Sequence, residues 1–431
     1  MTSKPILQVI DGDSAGYFTL VGWFALFVLA GLGAAWYMEH NGHFVTGMSN
    51  QIVWGTPHVF AVFLIVAASG ALNVASMASV FNKSAYKPLA PLSALLALAL
   101  LAGGLAVLVL DLGRPDRLIV AMTTYNFKSI FAWNIYLYTG FFFIVGVYLW
   151  LMMERRMVRY SKPAGLFAFI WRLALTTGTG SIFGFLVARQ AYDAAIMAPL
   201  FIVMSFSFGL AIFLLVLMAS YHWTGRPLGD YVLRRLGKLL GVFAAAVLYF
   251  TTVQHLTNLY ASEHHGVEGF ILAGGSVYTA LFWVGQVIIG GIIPLAILFH
   301  PVTAGSRSWI GLASALVIIG GLAQVYVIII GGQAFPLLLF PGMEESSSFF
   351  DGQVATYAPS LPEVMLGVSG VALALILVAV AIKILPFLPQ TLDDASIDPH
   401  FKAEPAEADA SDEEEEDAAG VGETAEATPG T

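Results

Sequence analysis

Apolar runs of about twenty residues recur along this chain from end to end, each long enough to cross a hydrocarbon core of ~30 Å. A backbone in that core must satisfy its own hydrogen bonds, so it spans as helices or as a closed barrel. A barrel would show short alternating segments, and these runs do not alternate. Charge content agrees: 11% of residues are charged, against roughly 25% in an ordinary soluble domain. The expected fold is an all-α polytopic membrane protein with ten helices, near 16–38, 53–80, 91–111, 130–152, 165–188, 196–221, 237–261, 277–300, 307–330 and 363–388. The first is too long for a signal-peptide core and lacks a convincing cleavage site, so it reads as a retained span.

Lys and Arg set the direction. With the N-terminus inside, 15 of the 19 basic residues fall on the inner side; Arg114, Arg117, Lys128 and Arg189 lie outside. That bias places both termini in the cytoplasm. The net charge of −9 comes from the end of the chain. Residues 391–431 hold 14 of the 28 acidic groups and one lysine, Lys402, so residues 1–390 carry 18 basic and 14 acidic groups. The tail "SDEEEEDAAGVGETAEATPGT" has little to bury and repels itself, and 391–431 is expected to be a disordered cytoplasmic segment. Nothing in the chain suggests a nucleic-acid partner. It contains no cysteine, so disulfides, thiolate-held iron–sulfur clusters and c-type haem attachment are excluded within it.

A weak repeat at an offset of 144 aligns Leu92 with Leu236 and Asp111 with His255. Pro57 and Pro199 each open a span holding a mid-helix small-residue pair, Ser69-Gly70 and Phe208-Gly209. This predicts two four-helix bundles, about 53–188 and 196–330, with the spans at 16–38 and 363–388 outside them. Gly180 and Gly184, at GxxxG spacing, read best as a packing face.

Ionisable groups gather where three spans meet the outer face. Asp111 ends "LLAGGLAVLVLDLGRPDR", His58 follows Pro57 in "QIVWGTPHVF", and His255 sits in "TTVQHLTN" with Gln254 and Asn258 beside it. A carboxylate at the edge of a bilayer is costly without a partner or a role. Taken singly, His58 reads as a helix-end residue and Asp111 as the partner of Arg114. Together, an acid, an imidazole and a guanidinium at one depth suit a polar head whose tail lies in lipid. A quinone has that shape, and histidine and a half-buried Asp titrate where its protons are exchanged. Two other readings compete. His58 and His255 could be axial ligands of a b-type haem, or the polar groups could line a secondary transporter, with Asn73 and Gln286 as its deep groups.

"LDLGRPDR" after a span, "TPHVF" before it and "SIFAWNIYLYTG" after it resemble the NrfD/PsrC family over roughly residues 16–390. These are the membrane subunits of polysulfide reductase, nitrite reductase, some hydrogenases and alternative complex III. The segment from "HNGHFVTG" to "MASVF" is most similar to the sulfur-metabolism type, DsrP. The resemblance implies a quinone site (menaquinone or ubiquinone) near the outer face and a periplasmic ferredoxin-like iron–sulfur subunit exchanging electrons with it. His58, Asp111 and Arg114 match pocket-forming positions. His255 and Asn258 join them as cofactor-binding candidates by the repeat and their depth, with Asp111 and His58 as the catalytic pair.

The charge bias has a direct check. Protease added to intact spheroplasts should leave the acidic tail whole and should remove it from inside-out vesicles; cleavage in spheroplasts would overturn the topology.

Overall fold

The computed structural model describes residues 6–337, 343 and 352–398. Ten helices in it are long and apolar enough to span a membrane: α1 (Ala15–Asn41), α2 (Thr56–Ser79), α3 (Ser84–Leu110), α4 (Ile130–Met153), α5 (Val158–Gly184), α6 (Met197–Thr224), α7 (Asp230–Tyr260), α8 (Val277–Phe299), α9 (Arg307–Ala334) and α10 (Leu361–Ile384). The protein is an all-α, multi-pass membrane protein. Helices α3, α5 and α7 start seven residues before the expected points, at Ser84, Val158 and Asp230. Their first turns carry Lys, Arg and Tyr, which end an apolar run without ending a helix.

Helix α2 packs on α3 and α5, α3 on α4, and α4 on α5; the same neighbour order recurs where α6 packs on α7 and α9, α7 on α8, and α8 on α9. The two sets meet chiefly along α2 and α6. There the backbones touch. A methyl group at Gly70 would overlap the Ser205 carbonyl, and one at Gly209 would overlap Gly70 and Ala71. The small-residue pairs flagged in the two spans therefore face each other, which permits the approach that dispersion forces need in a solvent as apolar as the helices. Beside this joint lies the buried Arg172 of α5. It donates to the Ser69 carbonyl (2.9 Å) and to Asn73 Oδ1 (2.7 Å), between the rings of Phe169 and Phe206. Asn73 in turn donates to the Phe206 carbonyl (3.0 Å). These groups are packing bonds across the joint. Gly180 and Gly184 abut Met197, Ala198 and Ala194 at the entry to α6.

The first and last spans pair with each other, and α10 also packs on α2 and α3. Leu7–Gln8 forms a short antiparallel ladder with Leu388–Pro389. Residues 391–398, expected to belong to a disordered tail, are placed instead. Leu392 exchanges hydrogen bonds with Pro227 and Gly229, and Asp394 accepts the Asp230 and Tyr231 N–H groups (3.2 and 2.9 Å). A carboxylate there satisfies the open donors of the first turn of α7 and complements its dipole. Residues 399–431, with the acidic run, lie outside the described residues.

Span α10 also fixes the entry to α2. Glu363, in its first turn, is fully buried. Its carboxylate accepts the N–H groups of Gly47 and Ser360 (both 2.8 Å) and the Tyr357 hydroxyl (2.6 Å). Tyr357 also accepts the Thr56 N–H (2.7 Å). Burial first, and then the Glu363 carboxylate, push the Tyr357 hydroxyl far above the usual phenol range. Gly55 makes room for this cluster, since a Cβ there would overlap Glu363 Oε1 and crowd Tyr357. Glu363→Ala would leave two N–H groups and a phenol without their acceptor, and should lower stability by about 3 kcal/mol or more. Thermal unfolding of the purified protein checks this; an unchanged transition would remove Glu363 from the account.

Candidate functional site

The helix entry held by Glu363 carries His58. Gly55 is the N-cap of α2 and Pro57 sits in its first turn, where a missing N–H costs nothing. His58 follows within that turn. Asp111 caps the far end of α3, its N–H bonded to the Val107 carbonyl. Because α2 and α3 are antiparallel neighbours, the start of one meets the end of the other, and His58 Nδ1 lies 2.7 Å from Asp111 Oδ2. The Asp111 side chain is 0% exposed and that of His58 is 16% exposed. The approach is short but poorly aligned. Neither Asp111 oxygen, nor His58 Nδ1, has a well-formed hydrogen bond. A buried carboxyl group left in that state keeps a strong demand for a partner.

Trp54 stacks over His58 at 6.2 Å and 23°, with Phe131 and Phe183 against its other faces. Trp54 is held in turn by Gln333 at the end of α9. Gln333 Oε1 accepts the Val53 and Trp54 N–H groups (both 3.0 Å), and Nε2 donates to the Trp54 carbonyl (2.9 Å). Arg189 ties the same corner by donating to the carbonyls of Gln333 and Gln51 (3.0 and 2.8 Å). On the other side His43 packs against Gly113, two residues after Asp111. His43 Nε2 is buried without a hydrogen bond, 3.9 Å from Glu39.

Sequence reasoning missed Trp54, Gln333 and His43. Trp54 and His43 stand inside segments already singled out, so their proximity was within reach. Gln333 comes from a helix 275 positions away from His58, and nothing local points to it.

Two expectations need correction. Arg114 does not pair with Asp111. It lies on the surface, 64% exposed, and bonds Asp116 (3.1 Å). That bond holds the Asp116 carboxyl below the usual carboxylate range. The two residues face each other across the turn that Pro115 opens, which carries the guanidinium away from α3. His255 and Asn258 do not share the His58 pocket either. Among the described residues no hydrogen bond, ion pair or ring contact joins the two groups. His255 and Asn258 have their own carboxylate, Glu268, at 2.6 Å from His255 Nδ1 and 2.8 Å from Asn258 Nδ2. The sets α2–α5 and α6–α9 thus each hold one imidazole–carboxylate pair at the same end of the molecule. Gln286 and Gln324 donate to Thr251 (3.3 and 3.2 Å), deeper on the α7 side.

Comparison with known proteins gives these positions a context. The family described as polysulphide reductase, NrfD, matches residues 44–337, which include both pairs. The chain is 30% identical over 383 residues to the Hdr-like menaquinol oxidoreductase integral membrane subunit of Archaeoglobus fulgidus, covering 88% of this chain and 96% of that one. It is 23% identical over 399 residues to the menaquinone reductase integral membrane subunit of Nitratidesulfovibrio vulgaris, covering 86% and 90%. It is 22% identical over 311 residues to a polysulfide reductase subunit of Wolinella succinogenes, covering 66% and 96%. The ten spans and this match together show that the chain belongs to the NrfD family of membrane subunits.

Proposed function

We propose that this chain is the quinone-reactive membrane subunit of a multi-subunit oxidoreductase, with its site at His58 and Asp111. The observation that carries the reading is the buried Asp111 carboxylate, which lies against an imidazole and has no well-formed hydrogen bond of its own, beside a stacked tryptophan. The rings of Trp54, Phe131 and Phe183 gather beside the two polar groups, and apolar surface with few polar groups is what a ring-shaped ligand needs. The names of the A. fulgidus and N. vulgaris relatives support a menaquinone-type ring, and that of the W. succinogenes relative supports a link to sulfur compounds. The Lys and Arg bias supports a location at the outer face of a bacterial cytoplasmic membrane, with both termini inside.

A quinone exchanges two electrons and two protons when it reacts. His58 turns Nδ1 to Asp111, so Nε2 is the atom left to bond a ring oxygen and to move a proton to or from it. Asp111 orients the imidazole and stabilises its charged form, more strongly than it would in water because the pair is buried. Trp54 supplies the flat wall, and Gln333 fixes Trp54. Arg114, on the surface beyond this pocket, is available to a partner rather than to the ring.

Electrons must leave through another protein if they travel by iron–sulfur clusters, because no residue here supplies a thiolate. We assign that role to a periplasmic ferredoxin-like iron–sulfur subunit docked beside the His58 end. The loop 39–52 lacks Lys and Arg, and its Phe44 is 83% exposed. Most of the apolar segment 335–343 and of 348–352 lies outside the described residues. The described flanks pack inward, with Gln51 donating to the carbonyls of Ala334 and Gln353 (3.2 and 3.3 Å). Phe44 is thus the apolar group on that loop left to meet a partner.

Asp111→Asn should leave the protein in its complex and remove quinol-linked electron transfer, with turnover falling at least a hundredfold. Unchanged turnover in the intact complex would remove the catalytic role, and loss of assembly would make Asp111 a structural residue. A photo-crosslinker at position 44 in native membranes should capture an iron–sulfur subunit; capture of cytoplasmic proteins alone would overturn both the docking and the outer-side route.

A further inference from the structure

The loop after α1 lies against the end of α3 that carries Asp111. Helix α1 stops at Asn41, because Gly42 takes φ +86°, a conformation that glycine adopts freely and other residues do not. The chain then makes a single tight turn, His43–Val45, closed by the Thr46 hydroxyl, which donates to the His43 carbonyl (2.5 Å). Val45 packs with Leu108 and Leu110 against the buried Val107 and Ala61. The Gly47 N–H bonds the Glu363 carboxylate (2.8 Å). This turn is therefore clamped by α2, α3 and α10 together.

The clamp sets His43 between the buried Asp111 and the surface. Its ring lies against Gly113, two residues past Asp111, where a Cβ would come within 3.8 Å of His43 Nε2. The His43 side chain is 26% exposed, yet Nε2 is buried and has no hydrogen bond. The part of the ring that meets water is thus the side away from Nε2. Glu39, in the last turns of α1, is 36% exposed and holds its carboxylate 3.9 Å from Nε2. The charge of Glu39 also reaches Arg114, whose guanidinium is held above its usual range by Asp116 first and by Glu39 to a lesser degree. Glu39, Arg114 and Asp116 therefore share one stretch of surface, with His43 leading inward from it.

Unsatisfied polar atoms concentrate here. Among the described residues six buried side-chain nitrogens and oxygens lack a well-formed hydrogen bond, and four of them are Asp111 Oδ1 and Oδ2, His58 Nδ1 and His43 Nε2. A buried polar atom without a partner calls for an explanation, and bound water or a chemical role is the usual one. The other ways out of the pair are closed. Trp54, Phe131 and Phe183 wall off one side of His58, and Arg114 turns away to Asp116. Glu363 of α10 is engaged farther along the loop, at Gly47. Of the charged and titratable groups around Asp111, His43 is the one beyond His58 that presents a buried, unpaired nitrogen to the end of α3.

We infer that His43 carries protons between the His58–Asp111 pair and the surrounding water, through a water molecule that bonds both Asp111 Oδ1 and His43 Nε2. This inference deepens the function proposed above and rests on it. No hydrogen bond or ion pair joins His43 to Asp111 directly, and a water with a polar partner on each side spans such a gap. Oxidation of a hydroquinone frees two electrons, which pass to the iron–sulfur partner, and two protons. His58 takes a proton at Nε2 and passes one from Nδ1 to Asp111. Asp111 passes it over the water to His43 Nε2, and His43 releases one from its other nitrogen to the bulk. His58 returns to its first tautomer before the second proton follows. Reduction of a quinone runs the same steps backward. His43 acts through Asp111 and does not touch the ring.

The test follows proton uptake in the resting complex, with no quinone added and no turnover. After a pH jump, the infrared bands of the Asp111 carboxyl group, identified by their loss in Asp111→Asn, report how fast the buried pair changes protonation. His43→Gln keeps a polar side chain but carries no proton. It should slow this uptake about tenfold or more and lower quinol-linked turnover, with KM for the hydroquinone unchanged. In His43→Ala, added imidazole should restore the uptake rate, which a merely structural role would not allow. Carbethoxylation of the assembled wild type, which needs no variant to fold, should slow uptake as modified His43 accumulates. Uptake at the wild-type rate in His43→Gln, or slow uptake in His43→Ala that imidazole does not restore, would overturn the route. If Asp111→Asn still stops turnover in that case, the His58 site stands without it. If Asp111→Asn turns over normally, the quinone reading fails, and the pH jump by itself still decides whether His43 is the way out.

Discussion

Asp111 is a carboxylate with no exposed surface, at the end of a helix whose preceding twenty residues are almost wholly apolar. Such a group must be paired, protonated or functional. The pairing is made by His58, from the start of the neighbouring helix, and it is made imperfectly. Much of the surrounding structure serves to hold these two helix ends in register. Gln333 grips the residues just before α2, Glu363 and Tyr357 hold its first turn, and Arg189 ties down the segment before that. These three props come from α9, α10 and the α5–α6 connection, so the site depends on the whole assembly of helices rather than on α2 and α3 alone.

The tenth span acquires a role through this arrangement. It lies outside the two sets of four and contributes nothing to the His58 contact itself. Its buried Glu363 nevertheless gathers two N–H groups and a phenol around the α2 entry. A glycine at position 55 is required because the carboxylate occupies the place of a side chain there. The first span, packed on α10, completes the flank and brings His43 against Gly113.

Most of the fold was legible from hydropathy, because a span must be apolar for about twenty residues whatever it packs against. Helix starts at Ser84, Val158 and Asp230 were not, since hydropathy does not distinguish a polar helical turn from a loop. The Asp111–His58 contact was legible in outline: the direction of each span puts both residues at one face. The Asp111–Arg114 pair was misread because proximity in sequence was taken for proximity in space, and the proline between Arg114 and Asp116 favours a tight turn that joins those two instead. His255 was grouped with His58 by the repeat and by its depth. Depth along the membrane normal says nothing about lateral separation, and the acid that claims His255 lies thirteen residues on, in a connection that gives no periodic signal. The π-helical stretches Gly269–Ala273, Leu281–Ile292 and Val327–Gly331 are likewise not revealed by the sequence pattern.

The central claim is that a ring-shaped redox ligand bonds His58 beside Trp54. A structure of the membrane complex determined with a bound naphthoquinone tests it most directly. The account predicts ring density stacked against Trp54 with one oxygen within hydrogen-bond distance of His58 Nε2. Full occupancy of the ring elsewhere, with the His58–Asp111 contact untouched and no density beside Trp54, would contradict it.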